Sequence, residues 1–395
     1  MNKQTKYLIV LGDGMADYPD SKGLTPLVEA NKPFIDALAA KSELGLVQTV
    51  PDGFAPGSDV ANLSVMGYCP KTYYTGRSPL EAVSAGVKLN KDDICYRLNF
   101  VTLSEDNNFN NKTMLDYSGG EIETKEAAML IELLKPHLPT NFELYLGTNY
   151  RHILVEREGA KRPQAMSVIF PPHDITDRQI NNYLPYEPLL SFVKKANEVL
   201  NTSKKNKSKA NAAWIWGKGT VATLTSFKEK FNKLGAVISE VDLIKGIGIS
   251  AGLTNIEVEG ANGTLNTNYK GMVEAATSAF FNHDFVYLHI EAPDECGHKG
   301  DREGKIKAIE CLDSKVVKPL VENLSQKFHL RLLFLPDHAT PLALKTHTSD
   351  AVPYLLYDSE NLINSTQKTY TENSAKLANI IKTNGSNLIK KLFEI

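Results

Sequence analysis

The sequence predicts an α/β fold: a mostly parallel sheet flanked by helices, interrupted by a smaller α/β (α+β) insert domain. Three observations carry that expectation. Short apolar strands alternate with amphipathic helical stretches; several of those strands run straight into Asp or His; and these polar clusters fall near residues 13, 294, 337 and 347, leaving the middle of the chain without them. A core assembled from both ends of the chain would bring the clusters together at the carboxyl edge of one sheet. The expected division is therefore a core of residues 1–85 and 240–395 and an insert of residues 86–239.

In chain order, residues 6–11 form an apolar strand that stops at Gly12-Asp13-Gly14. Thr25-Pro26 then opens a helix expected to reach residue 43, with Thr as N-cap and Pro at the first helical position. Apolar residues three or four apart predict further helices over 124–137, 187–201, 268–282 and 371–383. Strands are expected over 142–146, 152–156, 165–170, 221–224, 285–290, 330–335 and 352–357. Residues 202–211, reading TSKKNKSKAN, have the composition of a solvated basic loop.

A chain of 395 residues is too long for a single small binding module, and 42% hydrophobic residues suffice to bury a core. Forty-four Lys and Arg against 46 Asp and Glu give a net charge of −2, which offers nothing to a polyphosphate backbone. No segment approaches the roughly 18 apolar residues of a membrane helix, and no secretory signal pattern precedes the first strand. The expectation is a cytoplasmic protein that meets neither nucleic acid nor membrane. Four cysteines without a C-x-x-C pair read as reduced thiols. An enzyme, a ligand-binding protein or a scaffold remains.

The strand-end clusters choose among these. Asp13 sits between two glycines that let the backbone turn and approach a ligand. Asp294 and His298 lie four residues apart, a spacing that can aim both at one ion, although Pro293 and Gly297 argue against a plain helix there. Asp337-His338 follows a buried strand, and His347 comes nine residues after His338. Three carboxylates and three imidazoles are the donor mix of Mn²⁺ or Zn²⁺, and six donors suit two ions with open positions. Ser58, after Pro-Gly and before an apolar helical run, would stand at a helix N-terminus where an anion such as phosphate is favoured. Beside two metals its hydroxyl can lose a proton near neutral pH and act as a nucleophile.

Seven stretches together resemble the alkaline phosphatase superfamily, and within it the cofactor-independent phosphoglycerate mutases of the archaeal type. They are VLGDGMAD (10–17), TPLVEANKPFIDALA (25–39), GFAPGSDVANLSVMGY (53–68), YYTGRSPLEA (73–82), HIEAPDECGHKGD (289–301), LPDHATP (335–341) and KTHTSDAVP (345–353). The resemblance implies an alkaline phosphatase-like core with a phosphotransferase-type insert that closes over the substrate. It also implies interconversion of 3-phosphoglycerate and 2-phosphoglycerate through a phosphoserine, without 2,3-bisphosphoglycerate.

Carried over position by position, it makes Ser58 the nucleophile and divides the donors. Asp13, Asp337 and His338 would join Ser58 on one metal, and Asp294, His298 and His347 would hold the other. Mn²⁺ is the first expectation, with Zn²⁺ or Mg²⁺ as alternatives. In the insert, Arg151, His152, Asp174, Arg178 and Lys218 fall in stretches similar to the family's substrate-facing segments, and Lys245 lies in another family-like stretch. Arg151 suits a bidentate grip on a carboxylate or phosphate, and His152 or Asp174 could handle a hydroxyl proton. Lys218 and Asn149-Tyr150 depart from residues common in relatives. The same metal and serine motifs would also serve a homoserine kinase-like phosphotransferase, a phosphatase, or a metal-dependent binding protein without catalysis.

Overall fold

The computed structural model describes residues 3–162, 168–221, 223–382 and 384–394. The strand Thr5–Gly12 lies between His329–Leu335 and Phe285–Ile290 and runs parallel to both, with Tyr7 opposite Arg331 on one side and Phe285 on the other. A strand covered on both faces has no solvent side, which is why Leu8-Ile9-Val10-Leu11 is uninterrupted in apolar character. The sheet continues through Gly235–Ile238 to Thr254–Asn255 at one edge, and through Val352–Asp358 and Glu43–Val47 to Ile381–Lys382 at the other. Among the described residues of this sheet, only Val352–Asp358 runs against its neighbours. Leu8, Val10, Leu288 and Phe334 pack with Met272 and Leu320 from the helices Tyr269–Ala279 and Lys318–Lys327.

This core is one of two compact units, Met1–Tyr74 with Leu224–Ile395; the other is Thr75–Thr223. The second unit carries an antiparallel sheet of five strands: Met114–Asp116, Ile94–Leu103, Arg151–Glu156, Phe142–Thr148 and Ala212–Thr220. Helices Thr124–Leu134 and Leu189–Thr202 bury Leu130, Leu134, Phe192 and Ala196 against it.

The unit boundaries fall eleven residues earlier than 85/86 and sixteen earlier than 239/240. Helix Ser78–Ser84 packs Ala82 against Cys95, Val87 and Val155 of the second unit, and Gly235–Ile238 pairs with Phe285–Ile290 in the core sheet. The helix expected over 25–43 is broken into Pro26–Glu29 and Pro33–Ala39, and Glu43 already belongs to a strand. Pro33 has no N–H to donate and drives Lys32 out of helical geometry. The helix expected over 371–383 covers only Glu372–Leu377, ends before Asn379 at positive φ, and leaves Ile381–Lys382 to join the sheet beside Leu46 and Val47. The strand expected over 165–170 lies partly outside the described residues, and 168–170 are not extended in a sheet. Over 221–224, residue 222 lies outside them and the remaining three form no strand. Strands Glu43–Val47, Ile94–Leu103, Ala212–Thr220 and Gly235–Ile238 were not expected from periodicity.

Candidate active site

Three parallel strands end side by side, and each delivers a carboxylate. Asp13 follows Thr5–Gly12, Glu291 follows Phe285–Ile290, and Asp337 lies two residues past His329–Leu335. The Asp13 N–H donates to the Ile290 carbonyl (2.9 Å), which ties two of these ends together. Gly14 has φ of 57°, and a Cβ there would strike the Asp294 carboxylate and the Thr340 hydroxyl, so only glycine lets the loop pass. Ala292–Lys299 is an α-helix after all. Pro293 occupies its first turn, where no N–H is needed, and Gly297 lies so close to the Thr340 carbonyl that a Cβ would meet it at 2.8 Å.

The six expected donors and Ser58 converge in two adjoining groups. In the first, Ser58 Oγ lies 3.2 Å from His338 Nε2 and 3.4 Å from Asp13 Oδ2, and His338 Nε2 is 3.3 Å from Asp337 Oδ2. In the second, His298 Nε2 is 2.9 Å from His347 Nε2 and 3.1 Å from Asp294 Oδ2. The His338 and His347 rings lie 4.0 Å apart, tilted by 30°, so the groups share a wall. Asp13, Asp337 and His338 are fully buried, and Ser58 begins the helix Ser58–Val65.

Electrostatics tests whether divalent ions fit. Two like charges 4 Å apart repel by about 4 kcal/mol at an effective dielectric of 20. Burial, followed by the charges of Asp337, Glu291 and Asp294, pushes Asp13 well above the usual carboxylate range. Its Oδ1 is shut off from solvent without a hydrogen-bond donor. Asp294 shows the opposite response: burial works against it, yet hydrogen bonds from His298 and His347 hold it well below that range. Its carboxylate in turn raises His298 to about 9, whereas burial lowers His338. His298 Nδ1 donates to the Lys345 carbonyl (3.0 Å), so Nε2 is the nitrogen that faces Asp294 and His347, and a cation bound there would take the place of its proton. Anions and imidazole lone pairs aimed at common points, with one buried oxygen unsatisfied, fit two divalent cations.

Residues that the sequence reading did not single out hold these donors in place. Asn62 Nδ2 donates to Asp337 Oδ2 (2.8 Å), and the Asn62 carbonyl accepts from the fully buried Tyr287 hydroxyl (2.6 Å). Thr340 Oγ1 reaches both Asp294 Oδ1 and His338 Nδ1, linking the groups. Asn62 lies four residues after Ser58, on the same helix face; its amide was the one available signal. His289 and Glu291 were also missed, and they form a third group with Asp13.

The candidates in the second unit separate. Arg151 is exposed, its guanidinium 5.4 Å from the Tyr150 ring. His152, next along the strand, points the other way: it is buried against Phe100, accepts from the Gly147 N–H, and is lowered by burial to about 3. That environment corrects the expectation of a proton-handling histidine. Asp174 is exposed in a 3₁₀ turn beside His173, and Arg178 donates to the Tyr183 hydroxyl (3.4 Å). Lys218 is half-buried on Ala212–Thr220, and burial lowers its ammonium. Lys245, in the core unit, is engaged by Glu257 (2.9 Å) and Asp242 (3.5 Å). A stronger cationic feature was missed: Arg97 lies 4.5 Å above the Trp216 ring and pairs with Glu81 (3.0 Å), which Arg77 also grips (2.7 Å). Arg151 adds its field to that carboxylate, so three guanidiniums surround one acid.

The fold is that of an α/β protein with a mostly parallel core sheet, interrupted in sequence by a separate α+β unit. Residues 39–206 match the profile of the 2,3-bisphosphoglycerate-independent phosphoglycerate mutases. The chain is 44% identical to a probable 2,3-bisphosphoglycerate-independent phosphoglycerate mutase of Geobacter sulfurreducens, over 98% of this chain and 100% of that one. It is 43% identical to the corresponding protein of Methanosarcina mazei, over 97% and 98%. Among solved structures, a Pyrococcus horikoshii protein superposes with a TM-score of 0.83 at 27% identity, covering 100% of this chain and 97% of that one. A cofactor-independent phosphoglycerate mutase of Thermoplasma acidophilum shares the fold, with a TM-score of 0.65 at 23% identity over 98% and 99%. The chain belongs to the 2,3-bisphosphoglycerate-independent phosphoglycerate mutase family.

Proposed function

We propose that this chain interconverts 3-phosphoglycerate and 2-phosphoglycerate by passing the phosphoryl group through Ser58. The observation that carries the reading is the placement of Ser58 Oγ within 3.4 Å of both Asp13 and His338, at the first position of a helix. Two divalent cations, Mn²⁺ before Zn²⁺ or Mg²⁺, held by Asp13, Asp337, His338 and Ser58 and by Asp294, His298 and His347, would supply positive charge for the phosphoryl oxygens and acidify the Ser58 hydroxyl.

Ser58 Oγ attacks phosphorus in line; its bond to phosphorus forms as the bond from phosphorus to the substrate 3-oxygen breaks. The Oγ proton, hydrogen-bonded to Asp13 Oδ2, passes to the departing 3-oxygen. Glycerate then presents its 2-hydroxyl, which takes the phosphoryl group and returns a proton to Ser58. Backbone N–H groups at the start of Ser58–Val65 favour the anion throughout. The second unit groups Arg77, Arg97 and Arg151 around Glu81, and a guanidinium has the fork geometry that grips a carboxylate such as that of glycerate. Dependence on 2,3-bisphosphoglycerate is not expected, because Ser58 itself carries the phosphoryl group. Among the described residues no helix is long and apolar enough to cross a membrane, and we place the reaction in the cytoplasm.

Purified protein incubated with Mn²⁺ and 3-phosphoglycerate, coupled to enolase, should form phosphoenolpyruvate. No turnover with either isomer, together with ATP-dependent phosphorylation of homoserine, would replace this reading with a kinase.

A further inference from the structure

Lys305 lies outside the seven stretches that carry the family resemblance, and the proposed reaction does not use it. It is fully buried near the start of the helix Arg302–Cys311. An ammonium has three N–H donors. Three acceptors meet this one: Asp17 Oδ2 (2.7 Å), the Thr340 carbonyl (2.8 Å) and the Ala16 carbonyl (3.2 Å).

These partners belong to two loops of the core unit. Ala16 and Asp17 follow Asp13 beyond the strand Thr5–Gly12, and Thr340 follows His338 beyond His329–Leu335. The loops also bind each other: the Ala16 carbonyl accepts from the Thr340 N–H (3.2 Å), and the Asp17 carboxylate accepts from the Leu342 N–H (3.2 Å). The Thr340 backbone is thus held by Ala16, by Lys305 and by the close approach of Gly297. Its hydroxyl meanwhile reaches Asp294 Oδ1 and His338 Nδ1, one member of each donor group.

Stability alone does not account for a lysine at this position. A buried ion pair can often be exchanged for apolar side chains of similar volume without loss of stability, whereas removing one partner alone is strongly destabilising. No apolar side chain, however, holds two carbonyls and a carboxylate at one point.

We propose that Lys305, paired with Asp17, is a positioning residue. By clamping the Ala16 and Thr340 backbone it fixes Thr340 Oγ1, and through that hydroxyl it aligns Asp294 and His338, and hence the two donor groups, with each other. The inference takes the donor groups from the proposed function, and metal binding tests it apart from turnover.

Lys305→Met leaves Asp17 buried and unpaired, so it should lower the melting temperature as well as disturb alignment. The double variant Asp17→Asn/Lys305→Met removes both charges and should recover most of the melting temperature. In both variants kcat should fall at least about tenfold at saturating Mn²⁺ while KM for 3-phosphoglycerate stays within about twofold, and Mn²⁺ should bind about tenfold more weakly by titration. A double variant with the Mn²⁺ affinity and kcat of the unaltered chain would make the pair merely structural and overturn the inference. So would a change confined to KM, or a double variant no more stable than the single one. If the unaltered chain turned over neither isomer, the mutase reading would fall instead, and the Mn²⁺ affinity of the double variant against that of the unaltered chain would still decide the role of Lys305.

Discussion

The two units present charge in opposite ways. In the core, Asp13, Asp337 and His338 just past the ends of parallel strands, and Asp294 on the helix Ala292–Lys299, are withdrawn from water and cross-braced by Asn62, Thr340 and Tyr287. In the second unit, the cationic groups sit on an antiparallel sheet against aromatic rings, with Arg97 over Trp216 and Arg151 by Tyr150. The first arrangement concentrates negative charge that metal ions would neutralise; the second gathers positive charge around the single carboxylate of Glu81. Chemistry that needs fixed geometry is built where backbone and side chains are over-determined, as beyond the strand ends of the core.

Removing a core group should therefore cost more than removing a group of the second unit. Ser58→Ala should lower turnover at least about a thousandfold in the enolase-coupled assay while metal content holds, because it deletes the nucleophile and leaves the other six donors. Residual activity near that of the unaltered chain would remove Ser58 from its role. Asn62→Ala touches no reacting atom, but it frees the Asp337 carboxylate; metal affinity should drop about 10–100-fold, measured by Mn²⁺ titration.

On the other side of the comparison, Arg97→Ala should raise KM about tenfold with a smaller change in kcat, read from initial rates over a range of 3-phosphoglycerate. Arg97→Lys should recover only part of this, since a planar stack on Trp216 needs guanidinium. A loss confined to kcat would place Arg97 with the chemistry and erase the distinction between the units.

The smallest effect concerns stability of the second unit. Arg157 donates to Glu143 (2.6 Å) and Asp93 (2.7 Å). Its hydrogen bonds lead in holding Glu143 below the usual range; for Asp93, burial opposes the shift, but backbone N–H groups and Arg157 prevail. A depressed folded-state pKa gives stability that is full above the unfolded values of about 4 and is lost as pH falls through the folded ones. Thermal melts should show the unaltered chain losing stability below about pH 4, and Arg157→Met should flatten that slope. An unchanged slope would show that the triad is solvated and contributes little.

How much could be read in advance follows the same division. Asp13, Asp337 and His338 were legible because an apolar run that ends in Asp or His leaves the side chain little choice but the strand's carboxyl edge. How the six donors divide into two groups was not legible from spacing, since the partition depends on which strands are neighbours. Helix Ala292–Lys299 hid behind Pro293 and Gly297, whose costs vanish at a first turn and at a tight crossing with Thr340. His289 and Glu291 looked like the end of a buried strand. In the second unit, adjacent residues of one strand face opposite ways, so the same stretch supplied an exposed Arg151 and a buried, uncharged His152. The break at Pro33 was readable and was overridden by the longer helical period around it.

The central claim is that Ser58 carries the phosphoryl group between the two oxygens of glycerate. Rapid quenching after mixing the protein, Mn²⁺ and radiolabelled 3-phosphoglycerate, followed by peptide mapping, tests it most directly. The account predicts label covalently bound to the peptide containing Ser58 and none on the Ser58→Ala chain. Label on any other residue, or turnover with no labelled peptide at any quench time, would contradict it.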